Sequence, residues 1–181
     1  MLREISAGGV VIRPSPEGWQ IAVIEPVKEP AKSTVPKTGK PKSQKLLLAL
    51  PKGLVDPDEK AEQTAIREVY EETGLRASPI TKLGDIKYVY VRSWGDGARV
   101  FKIVSFYLLI YQSGTIDEIP PEMRIEVKRA LWIPLTGATR QLSYSGEKDM
   151  VKRAQSYLNA NPEIAEKLQT VPPDVTNMCD A

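Results

Sequence analysis

Residues Gly53 to Leu75 read GLVDPDEKAEQTAIREVYEETGL, and the fold is decided there. A helix is expected over about Ala61 to Thr73, stopped by Gly74; Asp56-Pro57-Asp58-Glu59 offers an earlier cap. At about 100° per residue, Glu68, Glu71 and Glu72 share one face, while Ala61, Ala65, Ile66 and Val69 form an adjoining apolar face. Glutamates on a helix are usually a solvated stripe relieved by interleaved lysines. Here no lysine lies between Lys60 and Lys82, and Arg67 is the nearby cation. A crowded carboxylate face short of counter-charge suits a hard divalent cation, which takes oxygen ligands and brings the missing charge.

The same stretch resembles the Nudix box: Gly, five residues, Glu, seven residues, then Arg-Glu-apolar-any-Glu-Glu-any-Gly-apolar. Gly53, Glu59, Arg67, Glu68, Val69, Glu71, Glu72, Gly74 and Leu75 meet every fixed position. The resemblance implies an α/β fold, a Nudix-type α/β/α sandwich with a mixed sheet and a catalytic loop-helix. It implies that Glu68, Glu71 and Glu72, with the Gly53 carbonyl, hold Mg²⁺ or Mn²⁺ for hydrolysis of a nucleoside diphosphate linked to another group. Glu59 and Arg67 are placed to form an ion pair pinning the loop to the helix, so Arg67 serves the catalytic face as scaffold. Families of this kind add a carboxylate from outside the box; Glu126 is the candidate ligand or general base, with Glu122 and Glu118 as rivals.

Working outward, residues 3–12 and 19–25 read as strands around the turn material Pro14 to Gly18, and Leu46 to Leu50 as a short buried strand ended by Pro51. Further strands are expected near 83–92 and 99–111, joined across Trp94-Gly95-Asp96-Gly97, and at Ala130 to Ile133; a helix is expected over Asp149 to Asn159. Strands on both sides of a helix, followed by a closing helix, indicate a mixed sheet covered on both faces. One domain over 1–160 is expected, with a weak short helix and a weakly structured tail over 161–181. An exposed, mobile Lys/Pro-rich loop is expected at 28–45.

Composition narrows the chemistry. With 181 residues, 41% apolar and 27% charged, the chain is expected to be one soluble domain. It contains no histidine, which excludes imidazole-based hydrolysis and histidine-ligated zinc. Its one cysteine, Cys179, is third from the C-terminus and is expected in a frayed tail. Lys28 to Lys45 carries six lysines and one glutamate, +5 against a whole-chain +2, so the remainder carries −3. That balance argues against a general nucleic-acid binder, and no apolar run has the length of a membrane span. The opening MLREISAGGVVIRPSP places an acidic residue and a proline where a secretory signal has its apolar stretch, so a cytoplasmic chain is expected, as monomer or homodimer.

Beyond the box, Leu50-Pro51-Lys52-Gly53 resembles the entry common to diadenosine polyphosphate and diphosphoinositol polyphosphate hydrolases. The stretches Gly84 to Tyr90, Phe101 to Leu108 and Leu142 to Lys148 are similar to bacterial diadenosine tetraphosphate hydrolases. The resemblance implies a nucleotide or dinucleoside polyphosphate substrate, with diadenosine tetraphosphate cleaved asymmetrically to AMP and ATP. In that setting Lys52, Arg99 and Lys102 meet the polyphosphate, and Tyr88 and Tyr144 stack on adenine. The insertion at 28–45 exceeds what those compact enzymes need. An oxidised nucleoside triphosphate, an inositol pyrophosphate, or binding without cleavage therefore stay open as alternatives.

Overall fold

The computed structural model describes residues 1–27, 46–92 and 95–170. The Lys/Pro-rich loop at 28–45, Trp94 of the expected hairpin turn, and the tail with Cys179 lie outside the described residues.

The sheet follows from two long strands. β1 (Leu2–Ser15) and β5 (Arg99–Ser113) pair in parallel, from Leu2 opposite Val100 to Ile12 opposite Ile110. β4 (Arg76–Val91) flanks β5, while β2 (Gly18–Pro26) and β6 (Val127–Pro134) extend the other side. The order is β4-β5-β1-β2-β6, all antiparallel except β1 with β5; β3 (Lys52–Leu54) adds antiparallel to β1. This is the expected mixed sheet.

Alternation along β1 divides the core. Val10 and Ile12 face α3 (Ser145–Ala160), packing with Phe106, Leu108, Met150, Val151 and Ala154. Ala7 and Val11 face α1 (Ala61–Thr73), packing with Tyr107, Leu109, Ala65 and Val69. One helix layer thus lies on each face of the sheet, which is the α/β/α sandwich. No described helix is long and apolar enough to cross a membrane.

α1 has the expected bounds. The Lys60 N–H donates to the Gln63 side chain at 3.0 Å, and Gly74, at φ 81°, closes the helix with its N–H on the Tyr70 carbonyl at 2.9 Å. Elsewhere the strands run longer than their sequence signals. β4 starts at Arg76, well before 83, because Pro79 and Gly84 sit at register shifts on an edge strand and do not end it. Leu46 to Leu50 is buried from Leu48 onward but is no strand: it makes a single bridge, Ala49 to Ile24, and the strand begins past Pro51 at Lys52. The closing helix starts four residues earlier than expected, at Ser145. Two short helices carried no clear signal, a 3-10 turn over Pro121–Ile125 and α2 (Ala138–Gln141). The weak helix expected past residue 161 is α4 (Pro162–Thr170), and it is packed, with Ala165 and Leu168 against the α3-side core. Their spacing of three gives the helix one apolar edge to bury.

Candidate active site

β3 brings the loop to the helix. Its pairing with β1 sets Lys52 opposite Gly8 and Gly53 opposite Ala7. From there the Lys52 N–H donates to Glu72 Oε2 at 2.9 Å. A Cβ at Gly53 would overlap the Glu68 carboxylate, so glycine at this position lets Glu68 close against the strand backbone.

The acidic face is only partly solvated. Glu68 and Glu72 are buried, and Glu71 is half-buried. Burial pushes the Glu72 carboxyl up to about 8, aided by the charges of Glu68 and Glu126 and opposed by the Lys52 N–H. Burial likewise raises Glu68, against the pull of Arg67. Glu126, exposed at the end of the 3-10 turn, is the carboxylate outside the helix whose charge bears on both. Of its rivals, Glu122 is exposed within that turn, and Glu118 places its carbonyl at the Gly74 end of α1.

Arg67 is the hub. Its guanidinium donates to Glu59 at 2.9 Å, to Glu68 at 2.8 Å, to Glu71 at 3.1 Å and to the Leu54 carbonyl at 3.0 Å. The expected Glu59–Arg67 pair is therefore present, and Arg67 also stands between two of the carboxylates. Among the described residues no three acidic side chains are gathered into a ready cage. The donor set nevertheless fits a hard divalent cation. It is all oxygen, it exceeds its one arginine in charge, and the space a Cβ would fill at Gly53 leaves the carbonyl and the Glu68 carboxylate side by side.

The Arg67 hydrogen bonds hold the Glu59 carboxyl down at about 2, against burial. A lowered folded value stabilises the protein above the unfolded value of 4.5 and is lost as pH falls through about 2. Glu59→Gln should therefore cost about 1 kcal/mol at pH 7, modest because solvent screens part of the pair, and nothing by pH 2. Urea unfolding of both proteins from pH 7 to pH 2 checks this; a difference constant with pH would remove the ion pair as its cause.

Beside the carboxylates lies a cavity of about 560 Å³. Lys52, Tyr88, Lys102 and Tyr144 border it over an apolar floor of Ile86, Val104 and Phe106. Four of the five expected substrate residues thus meet at one place, and Lys52 joins it to the carboxylate face. Tyr88 and Tyr144 are 43% and 47% exposed, unusual for rings packed only as core. Lys102 is less free than expected, since its ammonium holds Glu4 Oε1 at 2.6 Å while the Tyr90 hydroxyl donates to Glu4 Oε2 at 2.9 Å. Arg99 is a correction. It lies opposite Val91 at the far end of the hairpin and does not border the cavity. Lys102, Val104 and Phe106 alternate onto the cavity face, and a residue three before Lys102 falls on the other.

Glu147 escaped the sequence. It borders the same cavity, 3% exposed, with its carboxyl pushed up to about 7 by burial. An acidic residue in a helix's first turn is ordinary dipole chemistry, so nothing in the local sequence singles it out.

Comparison with known proteins agrees with this geometry. The model of the NUDIX domain family matches residues 26–154. A relative named as mutator protein MutT4, from Mycobacterium tuberculosis, is 35% identical over 171 residues, 93% of this chain and 58% of its own length. The chain therefore spans little more than half of that relative. Among solved structures, a C. elegans Ap4A hydrolase binary complex superposes with a TM-score of 0.59 at 19% identity, covering 87% of this chain and 98% of the other. The NUDIX domain of Shewanella oneidensis NrtR, complexed with ADP ribose, gives 0.58 at 18% identity, covering 87% and 90%. At these identities the structural likeness speaks for the fold alone. The box residues, their placement on β3 and α1, and a family match over most of the sequence lead to one conclusion: the chain belongs to the Nudix family.

Proposed function

We propose that the protein is a divalent-metal-dependent pyrophosphohydrolase whose substrate is a dinucleoside polyphosphate, diadenosine tetraphosphate being cleaved to AMP and ATP. The observation that carries this reading is Lys52. Its backbone N–H rests on Glu72 and its side chain borders the cavity with two exposed tyrosines, so one residue spans the distance from carboxylates to base-sized space. A Mg²⁺ held by Glu68, Glu71, Glu72 and the Gly53 carbonyl supplies, when bound, neutralisation of the diphosphate and a more acidic water. Lys52 balances charge on the bridging phosphates, and Lys102 does so once it releases Glu4. Tyr88 and Tyr144 stack on adenine. Glu126 takes the proton of the attacking water as the bond to the leaving phosphate breaks. Arg67 keeps Glu68 and Glu71 in place.

Tyr88→Ala and Tyr144→Ala should each raise KM by about 5- to 100-fold with kcat nearly unchanged, the stacking worth of one base. Steady-state kinetics on diadenosine tetraphosphate read this, and full activity in both variants would remove the tyrosines from the base site. The relative named as a mutator protein favours a second reading, hydrolysis of an oxidised nucleoside triphosphate. Anion-exchange analysis of products decides between them. The protein with Mg²⁺ is given diadenosine tetraphosphate, nucleoside triphosphates including oxidised dGTP, and an inositol pyrophosphate, with Glu71→Gln as control. AMP plus ATP, formed faster than products from the others, supports the proposal; preferred turnover of a triphosphate or of the inositol compound rejects it.

A further inference from the structure

Glu147 is a buried carboxylate with one oxygen accounted for. Its Oε2 accepts the Leu50 N–H at 3.1 Å, while its Oε1 has no hydrogen-bond partner. The nearest cation, Lys52 Nζ, is 3.9 Å from Oε1, beyond hydrogen-bond reach. A carboxylate oxygen buried without a donor costs stability, and such groups persist where they serve a ligand. The surroundings indicate which end of a nucleotide it meets. Phosphate would be repelled by a carboxylate, and phosphate is the business of the lysines. The wall that Glu147 shares with Ile86, Phe106, Tyr88 and Tyr144 is apolar and aromatic, which suits a base.

We infer that Glu147 reads the base: its free Oε1 accepts a proton from the exocyclic amino group of a purine stacked in this cavity. This deepens, and rests on, the reading of the cavity as a nucleotide site. Leu50 holds Oε2, so one acceptor remains, and it selects for an amino group against a carbonyl at the same position of the ring. Adenine carries N6–H₂ there and hypoxanthine carries O6, otherwise on a ring of the same shape. An adenine nucleotide is bound well, and its hypoxanthine counterpart meets an acceptor with an acceptor.

The variant Glu147→Gln makes the assignment reversible. The Leu50 N–H needs an oxygen, so the Gln carbonyl takes the place of Oε2 and its NH₂ turns to the cavity. The group that reads the base changes from acceptor to donor with no change of volume. Isothermal titration of AMP and IMP into the wild-type protein and the variant, at pH 8.5, tests it, with hydrolysis of diadenosine tetraphosphate measured alongside. The wild type should bind AMP about 10- to 100-fold more tightly than IMP, and in the variant that ratio should fall to one or invert. Three results would overturn the inference: equal binding of AMP and IMP by the wild type, no binding of either, or a variant that weakens both alike. The last would mean that Glu147 serves Lys52 or the fold. Base preference as expected without cleavage of the dinucleotide would leave Glu147 as the reader and reject the substrate. Cleavage with an unchanged preference in the variant would do the reverse.

Discussion

Glu71→Gln and Glu72→Gln should each lower turnover by about 10²- to 10⁴-fold without loss of fold. The two changes act from different environments. Glu71 is the half-buried member, tied to Arg67 at 3.1 Å, so its amide loses a charged contact that solvent already screens. Glu72 is buried and accepts the Lys52 N–H, a bond that the carbonyl of glutamine can keep. Removing a buried charge from beside Glu68 and Glu126 relieves repulsion that the folded protein otherwise bears. Glu72→Gln should therefore melt at or above the wild-type temperature while losing its activity, the pattern of a site that trades stability for function. Rates with saturating Mg²⁺ and melting curves in chelator measure the two halves separately. Near-normal turnover in either variant would take that carboxylate out of the site, and a melting temperature well below wild type in Glu72→Gln would mean that the residue is structural.

What the sequence disclosed depended on whether a signal was local. α1 could be read to the residue because Gly74 is its own stop and the apolar positions Ala65 and Val69 repeat at helical spacing. The box glutamates were legible for the same reason, since i, i+3 and i+4 on a helix is a statement about space. β4 was read too short because proline and glycine end strands on average, while Pro79 and Gly84 sit at bulges of an edge strand whose outer hydrogen bonds have no partner to lose. Leu46 to Leu50 looks like a strand because it is buried, yet burial alone does not supply a neighbour to pair with. The cavity was half legible. Tyr88, Tyr144, Lys52 and Lys102 come from four separate elements, and only their likeness to a known pattern joined them in advance. Glu4 and Glu147 were invisible because their roles are set by what lies opposite. Glu4 takes Lys102 across the pairing of β1 with β5, and Glu147 takes Leu50 from nearly a hundred residues away. Arg99 failed by parity: a one-residue difference in strand register moves a side chain to the opposite face.

Gly53→Ala should separate activity from stability more sharply than any glutamate change. The φ of Gly53 is not in the left-handed region, so alanine meets no backbone strain. What its Cβ meets is the Glu68 carboxylate, the far end of a flexible side chain that can swing away at little cost to the fold. Stability should fall by about 1 kcal/mol or less, whereas the carboxylate moves off the one place where it lies beside the Gly53 carbonyl. Turnover should drop by about 10²-fold or more, and Mn²⁺ affinity, read by titration calorimetry, should weaken with it. Gly8→Ala supplies the contrast from the neighbouring rung. Its Cβ would run into the Pro51 carbonyl and the Lys52 Cβ, positions fixed by the β1–β3 pairing, with Phe106 behind them. That variant has nothing flexible to displace and should lose several kcal/mol of stability, at least about 2, along with its activity. If Gly53→Ala melted as low as Gly8→Ala, its glycine would be there for packing. If it kept near-normal turnover, Glu68 would act from some position other than the one it holds against β3.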